Sequence, residues 1–227
     1  MKKVNIYIHT WKVNNWREIL NEQLSHIDDS GLGDTASVHI CNLDFECKTQ
    51  LDMWEHSKIN DSYYLYLHNL GISWQGTKYE DLTANWRKWI MNGVVGNWKE
   101  YVSHLDEYDV VGDNWKEESY WRDWHPDKEK YKDSDLTYPK HFAPQMFWTK
   151  SSYLSKLEHP HEYEKSALPN EESIRTLMEG WTTSGDGKFK EVRKDFSLEP
   201  VEAYNNRKKE NPFYSDSDGG RWKILKD

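Results

Sequence analysis

The chain has 227 residues, 30 Lys plus Arg against 39 Asp plus Glu, and a formal net charge of −9. That balance argues against a nucleic-acid backbone or an anionic membrane surface as the main partner, because both need a basic face. Apolar residues make up only 36%, but 13 Trp and 14 Tyr supply large side chains for a core, which excludes a largely disordered chain.

The first element is a buried strand at Val4–Thr10 (VNIYIHT), rich in β-branched and aromatic residues. It follows Met1-Lys2-Lys3 without the apolar stretch of a signal peptide, and no segment approaches the ~18 apolar residues of a membrane span. A cytoplasmic location is therefore expected. Trp16, Ile19, Leu20, Leu24 and Ile27 recur at helical spacing and predict a helix over 16–27. A glycine-containing loop at 28–34 leads to a second strand at Ser37–Leu43. Cys41 and Cys47 read as two free thiols in preference to a disulfide across that short gap, with no zinc-type Cys/His spacing around them. A short helix is expected at 51–56 and a third strand at Ser62–Leu67 (SYYLYL).

Residues 81–108 have apolar side chains at helical spacing, from Trp86 through Ile90, Val94, Trp98 and Val102 to Leu105. Asp81 or Thr83 is the expected cap, and Gly93 and Gly96 should bend or divide the helix. A fourth strand follows at Asp109–Gly112, then a charged, aromatic loop at 117–138. A strand at Phe142–Thr149, a helix at 151–157 and another at about 170–179 come next. From residue 185 the chain is polar. It reads as an extension of residues 1–184, partly packed on the body through Phe189, Val192, Phe196 and Val201.

Strands alternating with helices predict an α/β fold, a mostly parallel sheet flanked by helices. Ligands of such sheets bind at the carboxyl ends of the strands. That rule selects Thr10 and Trp11, Asn42 to Asp44, His68 and Asn69, and Asp113 and Asn114.

Three ordered segments carry a resemblance: LYLHNLGISW, then DLTANWRKWIMNGVVGNWKEYVSHLDEYDVVGDNW, then HFAPQMFWTKSSYLSKL. They resemble a group of small glycosyltransferase-like proteins of bacterial polysaccharide loci, large DNA viruses and phages. The resemblance spans most of residues 4 to 181. It implies a single-domain GT-A-like (Rossmann-like) fold, a nucleotide-sugar donor and a hydroxyl acceptor, expected to be a glycan. Asn69-Leu70 stands where the group usually has Thr-Lys, and Ala143-Pro144-Gln145 where it has Ser-Gly-Asn.

Sugar transfer requires a base for the attacking hydroxyl, a fixed approach geometry, and stabilisation of the leaving diphosphate. The donor candidates are Thr10, Trp11, Asp44, His68, Asn69 and Arg87. A satisfied strand-end histidine accounts equally well for His68, a turn for Asp44, and a salt bridge with Glu80 or Asp81 for Arg87. Glu172 and Glu171, which open the 170–179 helix where the resembling group carries its acidic residue, are base candidates, with Asp113 as a competitor. A helix cap explains the Glu pair without catalysis. Asn114, Trp115, His141 and Trp148 fall in the segments implied for the acceptor. Tyr120, Trp121 and Trp124 are suited to stacking on a sugar or to a small cluster beneath the loop.

No metal ligands are assigned. Asp133-Ser134-Asp135 and Asp216-Ser217-Asp218 lack the preceding apolar strand of a GT-A metal motif, so dependence on Mn²⁺ or Mg²⁺ is expected to be weak or absent. Two other readings compete: a catalytically silent carbohydrate-binding module, and a nucleotidyltransferase on a similar sheet. The second lacks a Gly-rich phosphate loop.

Overall fold

In the computed structural model, residues 2–42, 46–120, 137–167 and 178–194 are described. Strand β1 (Lys3–His9) leads into helix α1 (Trp16–Asp29), β2 (Ala36–Cys41), α2 (Glu46–Ile59) and β3 (Ser62–His68). Then come α3 (Glu80–Met91), a π-type turn at Asn92–Gly96, α4 (Trp98–His104) and β4 (Val110–Gly112). Short strands β5 (Trp115–Lys116), β6 (Ser119–Tyr120), β7 (Thr137–Tyr138) and β8 (His141–Phe142) follow. The described chain closes with β9 (Phe147–Lys150), α5 (Ser151–Leu154), α6 (Pro160–Ala167) and β10 (Phe189–Glu191).

Six strands form one sheet in the order β10-β4-β9-β3-β1-β2. β1 pairs in parallel with both β2 and β3, and β10 in parallel with β4. β9 runs antiparallel between β3 and β4, so all the other strands keep their carboxyl ends on one side. The expected α/β architecture, a mostly parallel sheet flanked by helices, is what forms.

The two faces of the sheet differ in chemistry. In register, Val4, Ile6 and Ile8 of β1 stand beside Tyr63, Leu65 and Leu67 of β3. With Val111 and Trp148 they make an aliphatic core closed by Leu20, Ile27, Ile90, Val94, Trp98 and Val102. The opposite face alternates with it and carries Asn5, Tyr7 and His9 beside Tyr64, Tyr66 and His68. Met53 of α2, Leu154 of α5 and Leu157 cover Tyr7, Tyr64, Tyr66 and Phe147 there.

The break expected near Gly93 falls at the π-type turn. It leaves the Val94 carbonyl to accept the Trp148 indole N–H at 2.7 Å. Gly93 also gives room for Arg193: a Cβ there would overlap its guanidinium.

The sequence-based strand at 142–149 divides in two. His141–Phe142 pairs with Trp115–Lys116 in a separate small sheet, and Phe147–Lys150 enters the main sheet. Pro144 lies between them, in a cis peptide bond with Ala143, and a residue without an N–H cannot sit inside a paired strand. The helix expected at 51–56 extends over Glu46–Ile59. Neither Asp81 nor Thr83 caps α3: Tyr79 is its N-cap, and Thr83 donates back to the Tyr79 carbonyl at 3.1 Å. Within the 117–138 loop, Ser119–Tyr120 pairs with Thr137–Tyr138. Most of the 170–179 helix lies outside the described residues.

Candidate functional site at the strand carboxyl ends

The carboxyl ends of β1, β2 and β3 bring polar side chains together at the top of three adjacent parallel strands. His9 and His68 are register partners on the aromatic face, and both are buried. The ring nitrogen Nδ1 of His9 lies 2.9 Å from the Thr49 hydroxyl, and Nδ1 of His68 lies 3.9 Å from Glu46 Oε1. Thr49 and Glu46 both belong to the first turn of α2. That helix follows a parallel strand, so its N-terminal end faces the same edge of the sheet. The His68 ring also stacks near Tyr66, with centroids 6.4 Å apart and an interplanar angle of 13°.

Loop-to-loop hydrogen bonds fix this arrangement. The Thr10 amide donates to the Cys41 carbonyl at 2.9 Å, and its hydroxyl donates to Asn42 Oδ1. Asn69 clamps the loop after β1: its Nδ2 donates to the Trp11 carbonyl at 2.9 Å, and the Trp11 amide donates to its Oδ1 at 3.3 Å. Gln23 of α1 donates to the His68 carbonyl at 2.9 Å. The predicted donor residues Thr10, Trp11, His68 and Asn69 therefore share one edge. Asp44 lies outside the described residues.

Arg87 stands behind that edge. Its guanidinium makes a two-point ion pair with Glu22, at 2.9 and 3.2 Å, and donates to the Leu70 carbonyl at 2.8 Å. With those donors engaged, its role is to position the turn after β3. Gly71 in that turn has φ +88°, and a Cβ there would crowd Thr83 and Arg87.

Asp113, the competing base candidate, is fully buried and saturated. Oδ1 accepts from the Tyr101 hydroxyl at 2.5 Å and the Arg193 amide at 3.1 Å, while Oδ2 accepts from Arg193 Nη2 at 2.5 Å and Nε at 3.0 Å. Burial, and then the Asp113 carboxylate, pushes the Tyr101 phenol well above its usual value of 10. A carboxylate that meets four donors has no lone pair directed at a substrate, so Asp113 is an anchor for the segment that carries β10.

The acceptor candidates also separate. Asn114, at φ +53°, donates to the Ala143 carbonyl at 2.7 Å and holds the loop before β9. Trp115 stacks on Phe189 at 5.4 Å, and its backbone amide donates to Glu191 Oε1 at 2.8 Å. Trp148 is fully buried in the aliphatic core, which removes it from any acceptor surface.

His141 is differently placed. Its Nδ1 lies 2.9 Å from the Pro139 carbonyl, and its Nε2 lies 3.5 Å from Glu179 Oε2. Glu179 is a carboxylate that sequence reasoning passed over. It reaches the site edge because Gln145 donates to the Met178 and Glu179 carbonyls, at 2.9 and 3.3 Å, and Gln50 of α2 donates to the Met178 carbonyl at 3.2 Å. Gln145 precedes Phe147, the partner of Tyr66, so this segment lies beside the carboxyl end of β3. Glu171 and Glu172 lie outside the described residues.

A cavity of about 370 Å³ lies at the opposite edge, lined by Asp109, Lys150, Ser152, Tyr153, Lys156 and Asp186 among others. Its Lys150 is paired with Asp109 at 3.1 Å. It faces the amino ends of the parallel strands, the wrong end for a ligand of this sheet type.

Among the described residues, no helix is long and apolar enough to cross a membrane. Comparison with protein-family models, with curated proteins and with solved structures finds no match for this chain.

Proposed function

We propose that the chain is a glycosyltransferase of GT-A-like type that moves a sugar from a nucleotide-sugar donor to a hydroxyl acceptor of a glycan. The observation that carries this reading is the convergence of His9, Thr10, His68 and Asn69 at the carboxyl ends of adjacent parallel strands, beside the N-terminal turn of α2. Buried polar groups at that edge of a parallel sheet are where a bound anion meets helix N–H groups and side-chain donors.

In this reading the donor diphosphate lies over β1 and β3. The His68 and His9 side chains and the N-terminal turn of α2 face the charge that develops on it. The acceptor hydroxyl attacks the anomeric carbon while the bond from that carbon to the diphosphate oxygen breaks. The electron pair leaves with the diphosphate, and the hydroxyl proton passes to a base. Among the described residues the base assigned is Glu179, oriented by His141, whose Nδ1–H donates to Pro139. Glu172 and Glu171 remain the base candidates of the resemblance. No step is routed through Mn²⁺ or Mg²⁺: the one group of three or more ligating side chains among the described residues includes a cysteine, a poor match to hard cations.

One observation favours the silent carbohydrate-binding module instead: Asp113 and Arg87, two residues with transfer chemistry, are both spent on internal ion pairs. Turnover separates the two readings. Incubated with UDP-, GDP-, CMP- and dTDP-sugars and glycan acceptors, the protein should release nucleotide from one donor class. Glu179→Gln should lower that release by ~10²-fold with donor binding retained. Glycan binding without nucleotide release from any donor would identify a binding module.

A further inference from the structure

Cys47 and the pair His161 and Glu164 are separated by more than 110 residues in the chain. The fold brings them together where the first turn of α2 meets the first turns of α6. The Cys47 sulfur lies 3.2 Å from His161 Nδ1 and 3.5 Å from Glu164 Oε2, and that oxygen lies 3.3 Å from the same Nδ1. Three potential ligand atoms of three kinds thus form one small triangle.

Two chemistries produce such a cluster, and the geometry separates them. In a relay that activates a cysteine, the carboxylate holds one ring nitrogen and the sulfur faces the other. Here sulfur and carboxylate both converge on Nδ1, leaving Nε2 out of the cluster. A triangle of this kind encloses a common point instead. Tetrahedral zinc, at bond lengths of about 2.3 Å to sulfur and 2.0–2.2 Å to nitrogen and oxygen, sets S···N and S···O at about 3.6 Å and N···O at about 3.3 Å. The observed edges of 3.2, 3.5 and 3.3 Å need only a few tenths of an ångström of adjustment.

We propose that Cys47, His161 and Glu164 bind a zinc-class divalent ion with three protein ligands and a fourth position open to water. A thiolate, an imidazole and one carboxylate suit zinc and disfavour Mn²⁺ and Mg²⁺, which take oxygen ligands. The thiol is buried at 2% exposure, whereas the His161 and Glu164 side chains are 41% and 25% exposed, which supplies the entry path and the water. On binding, the Cys47 S–H proton passes to solvent and a metal–sulfur bond replaces it. Without the ion, burial and then the Glu164 carboxylate raise that thiol above its usual value. The ion would tie α2 to α6, one residue from Glu46 at the proposed donor edge. The site does not depend on sugar transfer, and its test does not use it.

The full-length protein is dialysed against Zn²⁺, then against metal-free buffer, and the retained metal is counted. A second sample is titrated with Co²⁺ and followed by absorption. One ion per chain and a thiolate-to-cobalt charge-transfer band in the near ultraviolet are expected. Cys47→Ser should abolish the band, and His161→Ala should weaken binding by more than the ~10- to 100-fold typical of an outer-shell partner. Cys41→Ser, which alters the other free thiol, should change neither. Circular dichroism establishes that each variant is folded, and the wild-type count stands whether or not they are. No retained ion in the wild type, or a cobalt band that survives Cys47→Ser, would overturn the proposal. So would rapid alkylation of metal-free Cys47 that depends on His161, the signature of an activated cysteine.

Discussion

The two faces of the central sheet come from the same strands and do different work. One carries Val4, Ile6, Ile8, Leu65, Leu67 and Trp148, closed by α1, α3 and α4. The other carries Asn5, Tyr7, His9, Tyr64, Tyr66 and His68 under α2. The aliphatic face has few groups that could titrate or recognise a polar ligand, and its burial stabilises the fold. The aromatic face spends part of that stability on buried polar groups, which require partners and lower the gain from burial. Its histidines and hydroxyls end at the strand edge where the donor is proposed to bind. In this sheet, chemistry and stability are divided by side-chain parity along β1 and β3.

The largest effect should come from breaking the aliphatic face. Trp148→Ala opens a cavity and removes the indole donor to Val94, and should cost about 3–5 kcal/mol in urea denaturation. A loss below about 1 kcal/mol would mean that this face is not the stabilising one.

Next comes the anchor that joins the end of β4 to the segment carrying β10. Asp113→Asn leaves Arg193 without its counter-charge. Because the Arg193 side chain is 25% exposed, the expected loss is about 2–4 kcal/mol, somewhat below that for a fully buried pair. Stability should fall while turnover per folded molecule stays near wild type. Lost turnover in a protein of unchanged stability would return Asp113 to the role of base.

A smaller effect, confined to the aromatic face, is a pH dependence. The rings of His39 and His56 lie 5.6 Å apart, and Tyr7 OH contacts His56 Nδ1 at 2.8 Å. Burial lowers both histidines below the usual 6.5, with His56 adding to the effect on His39 and Lys3 to that on His56. Their folded values lie below the unfolded ones, so near and below pH 6.5 the unfolded chain binds more protons. Their contribution is intact above that pH and is lost as the pH falls through the window. Urea midpoints between about pH 7.5 and about pH 5 should decline. The decline should be shallower in His39→Gln/His56→Gln, and an equal slope would place the acid sensitivity elsewhere.

The smallest expected effect is none. Added Mn²⁺ should leave donor affinity unchanged in chelator-free buffer, since the proposed donor edge offers histidines and amides in place of paired carboxylates. A large gain in affinity with Mn²⁺ would contradict that donor set.

Much of the sheet was legible because β1 and β3 are buried on both faces and read as continuous apolar and aromatic runs. Gly93 and Gly96 marked the break in the long helix for a local reason, weak propensity. The strand-end rule found Thr10, Trp11, His68 and Asn69 and would equally have found His9, one residue earlier. Contacts made at long range were not legible. Nothing local indicates that β9 runs between β3 and β4, that Arg193 meets Asp113 across 80 residues, or that Cys47 meets His161 across 114. Trp148 misled because an aromatic residue in a motif looks the same whether it faces a ligand or a core.

The central claim is that the edge where the aromatic face ends binds a nucleotide sugar, and His68 tests it most directly. Isothermal titration of the preferred nucleotide sugar into wild-type protein should give one site per chain. His68→Ala, verified as folded by an unchanged circular-dichroism spectrum, should bind at least about tenfold more weakly, the loss of a charge-assisted hydrogen bond. A folded His68→Ala protein that binds the same donor with wild-type affinity would contradict the account.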